Sequence, residues 1–308
     1  MGRCFKEMTT KIIDACEAYS DSIGGIQGLS TPERRYAFAC QCVDSLRRVH
    51  FVQTIQDRPL NPSRADPASP LFDPIRAALI KKFEGHFEEA AWLVFLATLF
   101  GKHRRQGWVT TAQIYGGANA QNPWTYERIV GNMEGFLEWL ANPAEKIWRF
   151  VGNHRKYLSL SATKPNGTGA TISSYIEWTA RYGSQRNAID SHIDAAEGDE
   201  CVAFALLYES LRIVSGFGRT ARFDLLCMLQ KVGLANIAAD RTYLEEATGP
   251  LHGAALLFRG NPNITRDKRE LDRALCDFGA ALGLSPNIME DAVCNWQKDP
   301  NKYVPFRG

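Results

Sequence analysis

Ile213-Val-Ser-Gly-Phe-Gly-Arg-Thr-Ala-Arg-Phe-Asp-Leu-Leu226 is the stretch on which the reading of this chain turns. A helical pattern runs into Gly216-Phe217-Gly218, and a second begins at once. Two glycines around one apolar residue permit a tight reversal. Each allows backbone angles forbidden to other residues, while Phe217 pins the turn to the core. The N–H groups that open the second helix, with the positive end of its dipole, offer a place for a phosphate oxygen. Arg219, Thr220 and Arg222 then lie beside that oxygen. A plain helix–helix turn is the other reading of the same residues.

Outward from this hairpin, apolar residues recur at intervals of three and four over Tyr36–Val52, Phe83–Phe100, Tyr126–Leu140, Cys201–Val214, Ala221–Val232, Leu271–Leu282 and Ile288–Gln297. That period marks helices, and alternating runs are almost absent, so the fold class is all-α. The proline-rich segment Asp57–Pro74 reads as a surface loop. It closes an N-terminal helical cap, residues 1–70, ahead of a helical domain, residues 71–308, with the hairpin near 211–232. Lys164-Pro-Asn-Gly-Thr-Gly169 lacks phosphate-loop spacing and reads as a turn and cap before a helix near Ser173. Tyr175 and Trp178, three apart on that helix, share a face and read as core.

With 308 residues, 45% hydrophobic and 23% charged, the chain has the balance of a folded globular protein. Its net charge is only +2, so a nucleic-acid partner would have to be met by a local basic face. No signal peptide is visible, and the richest apolar run, Ala90–Phe100, is too short to span a bilayer. The eight cysteines form no Cys-x-x-Cys pair. They read as reduced core thiols of a cytoplasmic protein, with no metal site.

Several clusters carry possible chemistry. Asn153-His154-Arg155-Lys156, beside Trp148 and Phe150, suits phosphate binding with a titratable neighbour, or is a solvated loop. Lys102-His-Arg-Arg105 ends an apolar helix as a basic cluster able to touch a nucleic-acid backbone. Asp240 suits the N-cap of a helix over Arg241–Glu246. Arg241 is a further phosphate contact. Trp296 and Lys298 offer a base-stacking ring and a cation, or a core anchor and a surface lysine. His252, in a glycine-flanked loop, could approach a base closely.

The hairpin resembles the helix-hairpin-helix motif of the DNA glycosylase superfamily. In that superfamily lyase-type members carry a lysine where this chain has Thr220, which argues against strand cleavage through a Schiff base; the catalytic aspartate falls near Asp240. Four further segments extend the likeness: Trp92-Leu-Val-Phe-Leu-Ala-Thr-Leu-Phe-Gly-Lys-His103, Arg149-Phe-Val-Gly-Asn-His-Arg-Lys-Tyr157, Gly249-Pro-Leu-His-Gly-Ala254 and Val293-Cys-Asn-Trp-Gln-Lys298. In this order they resemble the alpha-glutamyl/putrescinyl thymine pyrophosphorylase family, most closely its third clade, from about Phe72 to the C-terminus.

The resemblance implies a glycosylase-like helical fold acting on bases in DNA. Pyrophosphate on a hydroxymethylated thymine would be replaced by an amine, with the base extruded and no cofactor. Residues 249–254 depart from the relatives' Gly-Pro-Gly-Ala pattern by an insertion. Three other functions stay open: a monofunctional DNA N-glycosylase, a non-catalytic DNA-binding module, and a helical protein unconnected with nucleic acid.

Overall fold

A computed structural model describes residues 3–117, 120–143 and 146–305. Among them are fourteen α-helices and no β-strand, so the protein is all-α. In chain order the first seven are α1 (Arg3–Ser22), α2 (Pro32–Gln56), α3 (Pro74–Phe83), α4 (Phe87–Phe100), α5 (Val109–Gly116), α6 (Tyr126–Gly131) and α7 (Met133–Ala141). The rest are α8 (Thr168–Ala180), α9 (Gln185–Ala195), α10 (Glu200–Ser210), α11 (Arg219–Lys231), α12 (Gly249–Arg259), α13 (Lys268–Ala281) and α14 (Pro286–Trp296). None of the described helices is long and apolar enough to cross a membrane.

The chain divides into two compact units, Met1–Phe51 with Ala239–Arg307, and Val52–Ala238. The proline-rich segment around residue 70 lies inside the second of these.

In the Val52–Ala238 unit α4 is the centre. Every residue from Ala90 to Phe100 is buried, which is why its sequence is apolar on all sides rather than striped. Phe95 stacks on Tyr175 of α8 with centroids 3.7 Å apart, and Phe217 of the hairpin lies 5.5 Å from the same ring. Tyr175 and Trp178 are both core residues. The helix starts are written in side chains. The Asp73 carboxylate accepts the N–H groups of Ile75 and Arg76 at 3.1 Å, and Ser184 accepts that of Asn187 at 3.0 Å. The expected helix Phe83–Phe100 begins only at Phe87, and Tyr126–Leu140 is broken in two. Gly85, at φ +83°, separates α3 from α4. Asn132 ends α6 and caps α7 by accepting the Gly135 N–H at 3.0 Å.

In the other unit α1, the first part of α2, and α12–α14 enclose a core around Phe38. Its ring meets Phe278 at 5.7 Å and Trp296 edge-on at 5.7 Å. Gly249 and Gly253, four apart on α12, face α14: a Cβ at Gly249 would come 2.9 Å from the Cys294 sulfur, and one at Gly253 would run into the Val293 carbonyl. The Gly-Pro-Leu-His-Gly-Ala segment is therefore a helix start shaped for close packing, with Pro250 in its first turn. His252 is correspondingly helical, where the sequence reading put it in a loop.

Candidate functional site

The hairpin forms as a turn whose two glycines do different work. Gly216 has φ +66°, the left-handed region that glycine enters without strain, and a side chain there would also press on Thr171 and Asn166 at 3.1–3.2 Å. Gly218 is extended, at φ −70° and ψ −174°, a conformation open to any residue. What its missing side chain leaves is space, since an added Cβ would meet nothing within 4 Å at the exposed start of α11. No side chain caps that end of α11. Ser215 fixes the turn from behind: its N–H donates to Ser174 Oγ at 2.8 Å and its hydroxyl donates to the Pro165 carbonyl at 2.8 Å.

The two arginines of the hairpin turn inward, at 5% exposure for Arg219 and 4% for Arg222, instead of standing beside a surface phosphate. The Arg219 guanidinium lies 4.7 Å from the Phe223 ring centre and that of Arg222 lies 4.2 Å from Tyr208, so both pack as flat, amphipathic groups. Thr220 is half-buried in the first turn of α11.

Asn153-His154-Arg155-Lys156 splits by role. Arg155 donates to the Thr98 carbonyl at 2.7 Å and pairs with Asp224 of α11 at 3.1 Å, which ties this loop to both α4 and the hairpin helix. Asn153, His154 and Lys156 are exposed. The loop also meets the Lys102–Arg105 turn, because Gly152 N–H donates to the Phe100 carbonyl at 2.9 Å. Lys102, Arg104 and Arg105 point to solvent. One unit therefore carries the hairpin and both basic clusters. The glycines of Lys164–Gly169 serve packing instead: a Cβ at Gly167 would come 2.7 Å from the Ser161 carbonyl oxygen, and one at Gly169 would run into the Ala162 carbonyl.

The same unit holds a cleft of about 940 Å³ that the sequence reading did not anticipate, with Glu88, Glu89, Tyr115, Tyr126 and Arg186 in its wall. Glu88 accepts the N–H groups that open α9, from Gln185 at 2.9 Å and Arg186 at 3.1 Å. Glu89 accepts from the Tyr115 hydroxyl at 2.5 Å and the Tyr126 N–H at 2.8 Å, and burial pushes its carboxyl above the usual range. Both carboxylates hold the fold around the cleft.

The Met1–Phe51 and Ala239–Arg307 unit holds the remaining candidates. Asp240 lies in an irregular segment that continues as a single 3-10 turn, Leu244–Glu246, so it caps no α-helix. Its Oδ1 accepts a 2.7 Å hydrogen bond from the Tyr243 hydroxyl. Burial raises the Asp240 carboxyl above its ordinary value, outweighing the opposing pull of that bond and of Arg241. Tyr243 has φ +52°, an unusual conformation for an aromatic residue, and its ring lies 4.4 Å from the Arg241 guanidinium.

Arg241 reaches three carboxylates, Glu245 at 3.2 Å, Asp240 at 3.7 Å and Asp272 at 3.8 Å, and so is committed within the protein. Asp272 is buried and accepts from both the backbone N–H and the hydroxyl of Thr242. Tyr243 and Asp272 are the residues missed from sequence. The pair Asp240/Tyr243, three apart, was visible, but Asp272 is distant in the chain and gave no signal.

Trp296 is 1% exposed and belongs to the core around Phe38, away from any surface where a base could stack. Lys298 donates to Asn295 Oδ1 at 2.8 Å, and Asn295 donates to Asp291, the partner of Arg48. No group of three or more histidine, cysteine or acidic side chains able to hold a metal occurs among the described residues.

Neither a curated protein nor a solved structure matches the chain. A family model does, over residues 33–308, which reaches some forty residues further toward the N-terminus than the sequence likeness from Phe72. A half-buried carboxylate oriented by a tyrosine, and a hairpin flanked by basic loops, thus belong to a member of the alpha-glutamyl/putrescinyl thymine pyrophosphorylase family, clade 3.

Proposed function

We propose that the protein acts on a pyrophosphorylated hydroxymethyl group of a thymine-derived base in DNA and replaces the pyrophosphate by an amine. The amine nitrogen forms a bond to the base-linked methylene carbon, the carbon–oxygen bond to pyrophosphate breaks, and the pyrophosphate leaves with the electron pair. The proton released from nitrogen needs a base. Asp240 supports that role and is the observation on which this reading rests. It is a partly exposed carboxylate, oriented by Tyr243, whose proton affinity burial has raised toward the working range of a general base. Within the Val52–Ala238 unit, contacts to the DNA backbone fall to the main chain at the start of α11 and to Asn153, His154 and Lys156. The family to which the chain belongs supports the substrate class.

A monofunctional N-glycosylase is the second reading. Thr220 stands where a lyase lysine would be, and a carboxylate such as Asp240 would equally activate water. Replacing Asp240 by asparagine keeps the acceptor for Tyr243 and removes the base. Pyrophosphate release from DNA carrying the modified base should fall by roughly 100-fold or more, with DNA affinity unchanged. An Asp240→Asn protein that works at the wild-type rate would end this assignment.

A further inference from the structure

Trp148 is 47% exposed and Tyr157 is 87% exposed, and both stand on one irregular strip between α7 and α8. Tyr and Trp, each an apolar ring with a polar handle, are enriched where a partner covers a surface. This strip is held in place rather than loose. Trp148 N–H donates to Gln113 Oε1 at 2.8 Å, the Trp148 carbonyl accepts from the Thr110 hydroxyl at 2.6 Å, and Phe150 N–H donates back to that hydroxyl at 2.7 Å. Arg149 donates to the carbonyls of Lys156 and Leu158, on either side of Tyr157, and so presents that ring at the tip of a turn. The Trp148 ring is backed by Phe150, nearly parallel at 5.9 Å.

Charge accompanies each ring. The Lys146 ammonium lies 4.3 Å from the Trp148 ring centre, and that of Lys156 lies 4.8 Å from Tyr157. From Gly101 to Tyr126 and from Lys146 to Ile176 the sequence contains no aspartate or glutamate. The exposed Lys102, Arg104 and Arg105 adjoin the strip through the Phe100–Gly152 hydrogen bond. A chain of net charge +2 thereby concentrates positive charge around two exposed, pre-positioned rings.

We propose that this strip binds unpaired nucleobases of a single-stranded segment, with Trp148 and Tyr157 stacking on base faces and the surrounding lysines and arginines meeting phosphates. It rests on the reading that the protein acts on nucleic acid, and adds the strandedness and the stacking residues. Base pairs in an intact duplex hide their faces, so rings of this kind discriminate against it. An aliphatic or acidic partner would match the charge or the rings, but not both.

The test is fluorescence anisotropy with labelled oligothymidine and with a duplex of equal length, across a salt series. Trp148→Ala and Tyr157→Ala should each weaken single-strand binding by about 5- to 140-fold, the alanine effect of one lost base–aromatic stack. The salt slope and the thermal melt should stay unchanged. Tyr157→Phe should restore affinity, and Lys156→Ala should lower the salt slope by about one contact. Wild-type affinity in both alanine variants, or preference for duplex, overturns the proposal. So does self-association abolished by Trp148→Ala with no nucleic-acid binding, which would assign the face to a second copy of the chain. Alanine-sensitive single-strand binding without any pyrophosphate release would keep this inference and refute the proposed reaction. The reaction with alanine-insensitive binding would do the reverse.

Discussion

Replacing Gly253 by alanine measures how closely α12 lies on α14. The added Cβ would stand 2.8 Å from the Val293 carbonyl carbon and 3.0 Å from the Val293 Cβ, and nearer still to the carbonyl oxygen. Carbon–oxygen contacts between packed backbones lie at about 3.3–3.6 Å, so the helices must part by something on the order of 1 Å. The seam they share buries Ala254, Ala292, Val293 and Trp296, and a close-packed interior has no slack to absorb the shift. Overpacking typically costs about 1–3 kcal/mol, and the obstacle here is backbone that cannot rotate aside, which argues for about 3 kcal/mol. The better helix propensity of alanine returns roughly 1 kcal/mol. A net loss near 2 kcal/mol corresponds to a Tm lower by roughly 3 °C for a chain of this size. Thermal and urea unfolding followed by circular dichroism would read it. Gly131→Ala is the companion variant, because Gly131 is exposed at the end of α6 with nothing within 4 Å of an added Cβ, and its Tm should hold or rise. A Gly253→Ala protein as stable as wild type would refute the packing argument.

Asp240→Asn should be more stable than wild type at neutral pH. A carboxyl raised above its ordinary 3.8 contributes stability that is complete below 3.8 and lost as the pH rises through the raised value, so the variant's advantage should vanish on acidification. Urea midpoints over a pH series check this, and a pH-independent gap contradicts it. Burial pushes the Cys16 thiol up to about 12 and that of Cys276 to about 11, while Cys4 and Cys201 are exposed. Iodoacetamide at mildly alkaline pH should therefore label Cys4 and Cys201 first, by peptide mass spectrometry. Early labelling of Cys16 in the folded protein would contradict the structure.

The helix content was legible because an apolar period of three to four residues survives wherever a helix has one buried face, as in α2, α10, α11, α13 and α14. Breaks were harder to read. The apolar period over residues 83–100 reads as one helix, but Phe83 ends α3 and the left-handed Gly85, between Glu84 and His86, turns the chain before α4 starts at Phe87. The glycines of α12 suggested a loop, yet they answer to Val293 and Cys294, forty residues on, which no local pattern can report. Long-range contact also decided the candidate sites. The turn at Gly216-Phe217-Gly218 and the anchoring of Phe217 followed from local chemistry. Arg219 packs on Phe223 one helical turn on and Arg222 on Tyr208 of the preceding helix, which a motif reading does not report, and the burial of Trp296 against Phe38 depended on a partner far away in the chain. Asp240 was found because it lies near a motif. Asp272, which shares Arg241 with it, was not.

The most direct test of the proposed reaction is mass spectrometry of nucleosides from DNA that carries pyrophosphorylated hydroxymethyluracil, after incubation with the purified protein with and without amines. The account predicts an amine-adducted nucleoside that appears only with amine present, accompanied by an equal amount of released pyrophosphate. A free base with an abasic site, or unaltered nucleosides from DNA that the protein demonstrably binds, would contradict it.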